Sequence, residues 1–244
     1  MSLVGQKAAV VSFGISCQTT LQIDDHVELI RRAVADETLK PSSLPFDAVL
    51  THPTSTAQML DADAFYPLSK DEIVLHKGAY WARQRAYFRH ECTLRKSHPL
   101  EYLRGKVNLE RGYRELASKF AYLSQKFRRL KDLERLIFVV GNSQNDLPEM
   151  QAEIGNDPGA SIISIESMQQ LCDACDRYFD RPCEYILVTY PTLKTGTGSR
   201  RGLSVFELSP DGSQWAGDHA QWQALWTDYF RANPVALAQQ QMSA

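Results

Sequence analysis

The sequence predicts an α/β protein in three layers, a mostly parallel sheet with helices on both faces. Three observations carry this. Short apolar runs at residues 8–13, 136–140 and 185–189 read as buried strands, being brief and rich in valine and isoleucine. Longer segments between them repeat their apolar residues every three or four positions, the period of an amphipathic helix. The two kinds alternate along the chain, and strand–helix alternation builds a parallel sheet whose crossovers cover both faces.

Residues 8–13 (AAVVSF) form the first strand, which ends at Gly14. Residues 19–35 carry Leu21, Ile23, Val27, Ile30 and Val34 near helical spacing, so one helix is expected there. Residues 36–44, with a proline and serines, are a loop. Pro45-Phe46-Asp47 opens an apolar stretch to Leu50, and residues 54–60 make one or two helical turns. Residues 61–80 are mixed and aromatic and show no clear period. The longest helix is expected over 109–130. There Leu109, Tyr113, Leu116, Phe120, Leu123, Phe127 and Leu130 fall on one stripe. Lys126, Arg128, Arg129 and Lys131 gather at its end, where cations suit the helix dipole. Residues 136–140 (LIFVV) are a central strand ending at Gly141-Asn142. A short helix over 146–154, a strand over 160–165 and a helix over 167–179 follow. Residues 185–189 (YILVT) are a strand and 195–199 a flexible loop. Residues 202–208 alternate and read as a last strand at a sheet edge. A terminal helix over 219–230 gathers Trp222, Leu225, Trp226 and Phe230 on one face. The expected organisation is one domain, 1–233, with a flexible polar tail, 234–244.

The 244 residues are 43% hydrophobic and 23% charged, ordinary globular values that suffice for a sizeable core. A net charge of -2 gives no basic excess for nucleic acid or an anionic membrane, and neither is expected as a partner. No run approaches the ~18 consecutive apolar residues of a membrane helix. The start, MSLVGQK, lacks the pattern of a secretory signal. The five cysteines are odd in number and not spread like a disulfide framework, so reduced thiols and a cytoplasmic location are expected.

Parallel sheets bind ligands at the carboxyl ends of their strands. Cys17, Asn142 and the loop after Thr189 all follow expected strands. Cys17 comes just after the Gly14 turn, where a helix begins. The N–H groups and positive dipole end of a helix start favour a thiolate over a thiol. Such a nucleophile needs a base, usually histidine, and a third group to orient it. Of the six histidines, His90 leaves the aromatic segment AYFRHE beside Glu91, and His219 follows Asp218. Asp47 sits in a turn whose entry proline fixes the backbone, and orients or charge-balances the site if it is not simply a turn cap. Glu91 and Asp218 are the alternative third residues. The backbone after Cys17, with Gly14, the Gln18 side chain and Asn142, is placed to stabilise an oxyanion; Asn142 equally suits a plain turn. Lys194, Arg200 and Arg201 flank a Gly/Ser/Thr loop and are candidate phosphate contacts, or a solvated surface. Cys172 and Cys175, with Cys183, fall short of a four-ligand zinc site, and no metal is expected.

Three segments read together, VVSFGISCQTTLQI, LPFDAVL and AYFRHE, resemble a bacterial family of papain-like cysteine peptidases long classed as a domain of unknown function. The later Trp215-Ala216-Gly217-Asp218 and Trp222 are similar to that family's C-terminal part. The chain departs from the pattern at Ala48, where an aromatic is expected, and at Glu91, where an aspartate is. The resemblance implies a Cys17 nucleophile, a His90 base, an orienting Asp47 and acyl transfer from a peptide or small-molecule substrate without a cofactor. It implies nothing of papain's fold, since this chain alternates strands and helices to its end. A similar start in capsule-polysaccharide proteins implies an alternative, acyl transfer from coenzyme A to a saccharide. A non-catalytic nucleotide- or sugar-binding protein of surface-polysaccharide synthesis is the rival of a different class. The order Gly14–Cys17, Gly141-Asn142, Asp218-His219 is also similar to SGNH-type hydrolases, departing in cysteine for serine and in its adjacent Asp and His.

Overall fold

The computed structural model describes residues 6–15, 17–40, 43–47, 49–76, 78–142, 162–210 and 216–234. Its strands are β1 (Ala8–Ser12), β2 (Ile73–His76), β3 (Gly78–Trp81), β4 (Ala86–Phe88), β5 (Arg135–Asn142), β6 (Ile163–Ser164), β7 (Glu184–Thr189), β8 (Lys194–Thr195) and β9 (Leu203–Glu207). Its helices are α1 (Cys17–Asp25), α2 (Val27–Val34), α3 (Pro53–Asp61), α4 (Pro99–Leu103), α5 (Leu109–Arg128), α6 (Ile165–Phe179) and α7 (His219–Ala232), with short 3-10 turns between.

The central sheet has the order β1-β5-β7-β9 and is parallel throughout. β5 and β7 read as unbroken apolar runs because both of their faces are covered. Alternate residues go to opposite sides. Phe138, Val140, Tyr185 and Leu187 join the core under α3, α5 and α6. Ile137, Val139, Ile186 and Val188 join the core under α1, α2 and α7. Those two cores make the three layers. The first is strongly aromatic. Phe127 of α5 lies 5.1 to 6.1 Å, centroid to centroid, from Phe13, Phe46, Phe65, Tyr178 and Phe179. Phe13 stacks on Phe138 at 4.5 Å.

The expected helix over 19–35 is two helices. His26 Nδ1 takes the Gln22 carbonyl at 2.8 Å, the acceptor its own N–H would use in a continuous helix. The chain therefore turns at His26 and restarts at Val27. Residues 61–80, which show no period, hold a Ser69-capped 3-10 turn and then β2 and β3. With β4 these form a separate antiparallel sheet in the order β2-β3-β4. The strand expected over 160–165 is described only as Ile163–Ser164, and it pairs with β8 rather than with the central sheet. β9 is the half-exposed edge strand expected from its alternation. The expected helix over 146–154 and most of the tail lie outside the described residues. No described helix is long and apolar enough to cross a membrane.

Candidate functional site

β1 delivers the chain to the carboxyl edge of the sheet. Phe13 N–H extends the ladder by donating to the Val139 carbonyl at 2.8 Å. The chain then passes so close to its neighbour that a Cβ on Gly14 would lie 2.0 Å from the Val49 carbonyl oxygen. Only glycine fits there. Cys17 is the first residue of α1, as its place after the turn predicts. α1 sits tightly over the end of β5, where a Cβ on Gly141 would meet Thr19 Oγ1 at 2.1 Å. The ends of β1, β5 and β7 thus share one edge. Asn142 and Thr189 lie opposite each other there, and the Thr189 hydroxyl donates to Asn142 Oδ1 at 3.2 Å.

Cys17 lines a cavity of about 930 Å³, and His90 lines the same cavity. Residues far apart in sequence therefore meet at the mouth of α1. His90 is held by local structure. β4 pairs with β3, and Leu50 and Tyr87 exchange backbone hydrogen bonds at 2.9 and 3.0 Å. After Phe88 the chain turns, Glu91 N–H donating to the Phe88 carbonyl at 3.0 Å. Cys92 takes a left-handed φ of 50°. α5 closes on that turn at Gly112, whose Cβ position is 2.9 Å from Cys92 Sγ.

The charges of the wall follow from this turn. Glu91 is buried and accepts from Lys96 Nζ at 2.6 Å and Lys119 Nζ at 2.7 Å. Burial opposes its ionisation, but the bonds from Lys119 and Lys96 outweigh that and hold the carboxyl below its ordinary range. Glu91 is therefore a structural anchor under the wall. Partial burial of the His90 ring, then the charges of Arg89 and Lys96, hold its imidazole below the ordinary histidine value against a weaker pull from Glu91. A histidine so placed is neutral near pH 7 and able to accept a proton. Cys92 also lines the cavity, but burial pushes its thiol up to about 11, so it stays protonated.

The other candidates lie elsewhere. Asp47 Oδ2 accepts from the Leu44 N–H at 2.7 Å, the turn-capping arrangement. Asp47 lines a separate cavity of about 100 Å³ with Ser12, Thr20 and Asp24, and burial pushes its carboxyl up to about 7. It is not among the residues lining the Cys17 cavity. The Gln18 side chain is buried and lies against the turn at Gly217 and Trp222. Oxyanion donors at this edge are then the backbone N–H groups that a helix's first turn directs out of its end. Asp218 caps α7, accepting from Ala220 and Gln221 N–H at 2.8 and 3.1 Å. His219 stacks on His26 with centroids 4.2 Å apart. Neither lines the Cys17 cavity.

Lys194 pairs with Glu207, and Arg200 with Asp173 and Asp176 at 2.8 and 2.7 Å, so two of the three candidate phosphate contacts are tied to carboxylates. Cys172, Cys175 and Cys183 are buried free thiols. Burial pushes Cys172 up to about 12 and Cys183 up to about 11. Among the described residues no group of three or more His, Cys, Asp or Glu is placed to hold a metal ion.

The sequence reading missed the basic wall. Arg89, Arg95 and Lys96 line the cavity beside His90. The signal was present: residues 83–96 hold Arg83, Arg85, Arg89, Arg95 and Lys96 against Glu91 alone. Compared with protein-family models, curated proteins and solved structures, the chain matches none.

Proposed function

We propose that the protein is a cysteine-dependent acyl-transfer enzyme in which Cys17 is the nucleophile and His90 the base. One observation carries this reading. A cysteine at the N-terminus of a helix, on the carboxyl edge of a parallel sheet, shares a cavity with a histidine that burial and cations keep neutral. The helix end lowers the cost of the thiolate, and the neutral imidazole accepts the thiol proton. The sulfur attacks the carbonyl carbon, and backbone N–H groups of the first turn stabilise the oxyanion. Collapse breaks the bond to the leaving group, which takes the proton from His90. The thioacyl group then passes to water, as in a peptidase or thioesterase, or to another hydroxyl. Coenzyme A suits the donor and a saccharide the acceptor in the second case. Asp47, in its neighbouring cavity, has no direct part in these steps.

Incubation with a panel of short acyl thioesters tests the reading, followed by intact-mass and peptide mapping. An acyl adduct on Cys17 is expected, absent in Cys17→Ala and formed at least about a hundred-fold more slowly in His90→Ala, as loss of a general base requires. Equal turnover by wild type and Cys17→Ala would overturn it.

A further inference from the structure

We infer that the Cys17 cavity selects acyl substrates that carry an anionic group, a carboxylate or a phosphate, bound by Arg89, Arg95 and Lys96. This rests on the acyl-transfer reading of Cys17. The wall that holds His90 contributes all three cations. Among the described residues lining the cavity there is no aspartate or glutamate. The nearest acid, Glu91, is buried behind the wall and shared between Lys96 and Lys119, so it offsets only one of their two charges. Arg95 is exposed on the short turn Leu94–Lys96, at the side of the cavity that faces solvent. Leu75, Leu94 and Val107 complete the lining with apolar surface. A concave site with surplus positive charge and apolar walls concentrates anions and binds their hydrocarbon part. Arginine is the residue type that grips carboxylate and phosphate with two parallel hydrogen bonds.

These cations also favour a thiolate at Cys17, so rate alone does not separate binding an anion from activating the sulfur. A ratio does. Iodoacetate and iodoacetamide deliver carbon to the same sulfur: in each the S–C bond forms, the C–I bond breaks and iodide leaves. They differ in one negative charge. A change in the thiolate fraction moves both rates together and leaves their ratio fixed.

The test measures the iodoacetate-to-iodoacetamide rate ratio at Cys17 by mass spectrometry, with glutathione as the reference thiol. The expected ratio exceeds that of glutathione by about ten-fold or more at low ionic strength and falls with added salt. Arg95→Gln and Arg89→Gln each lower it several-fold. A ratio at or below that of glutathione, unmoved by salt or by either variant, overturns the inference while leaving a reactive Cys17 intact. A Cys17 that reacts with both reagents as slowly as a buried thiol removes the acyl-transfer reading, and the inference with it. Glutaryl and pentanoyl thioesters of a neutral thiol, with the pentanoyl thioester of phosphopantetheine, then separate the sources of charge. Preference for the first places the anion on the acyl group, and preference for the last places it on the leaving group. Equal rates for all three overturn the inference.

Discussion

Replacing Asp47 by asparagine is expected to stabilise the protein, and to do so only at neutral and alkaline pH. Burial raises the Asp47 carboxyl from 3.8 to about 7. A raised acid binds its proton more tightly folded than unfolded. Its ionisation therefore costs stability as pH rises through the interval between the two values, and the full cost is present above the folded value. A gap of about three, at about 1.4 kcal/mol for each, gives about 4 kcal/mol at pH values above ~8. Asparagine keeps an acceptor for the Leu44 N–H but sets an NH2 group against Thr20, so a net gain of about 2–4 kcal/mol is expected. For a chain of this size that is a rise of roughly 5–15 °C in Tm. Urea or thermal unfolding of wild type and Asp47→Asn at about pH 4.5 and about pH 8.5 measures it. The gain should be near zero at the lower pH and full at the higher. A variant that loses stability at the higher pH would show instead that Asp47 is a charged partner of Lys126, and would refute the reasoning.

Three further outcomes follow from the same geometry. Gly14→Ala sets a methyl group 2.0 Å from the Val49 carbonyl and 3.1 Å from the Phe46 carbonyl, both backbone, so a loss of about 3 kcal/mol or more is expected in chemical unfolding. Phe127→Ala empties the centre of the aromatic core and should cost about 3–5 kcal/mol, with little change in the urea m-value. Arg89→Gln removes a cation that depresses His90, so the acid limb of kcat/KM should move to higher pH; a limb that stays in place would show that burial alone sets the imidazole.

The central sheet was legible because β1, β5 and β7 are buried on both faces and so read as unbroken apolar runs. The helix over 109–130 was legible because one stripe of it is buried at Leu116, Phe120, Leu123 and Phe127. The break at His26 was not, because it depends on a side chain taking a backbone carbonyl within an otherwise helical pattern. The sheet of β2, β3 and β4 was hidden for a different reason. Its strands are three or four residues long, too short for alternation to stand out. At the site, Cys17 was legible from strand, glycine and helix in order. That His90 lines its cavity depends on tertiary pairing, through β3 and the Leu50–Tyr87 bridge. Asp47 read equally well as orienting acid and as turn cap, and only the fold shows which group it bonds. The fate of Asp218-His219 was illegible, since the stack on His26 joins α7 to the break between α1 and α2.

The most direct measurement is the pH dependence of iodoacetamide alkylation, resolved site by site, in wild type and His90→Ala. The account predicts that Cys17 labels far faster than Cys92 or Cys172, with an acid limb below the ~8.5 of an ordinary thiol. In His90→Ala that limb should move up and the rate near neutral pH should fall by about ten-fold or more. A Cys17 that labels like an ordinary thiol, with a profile unchanged in His90→Ala, would contradict the pairing of these two residues.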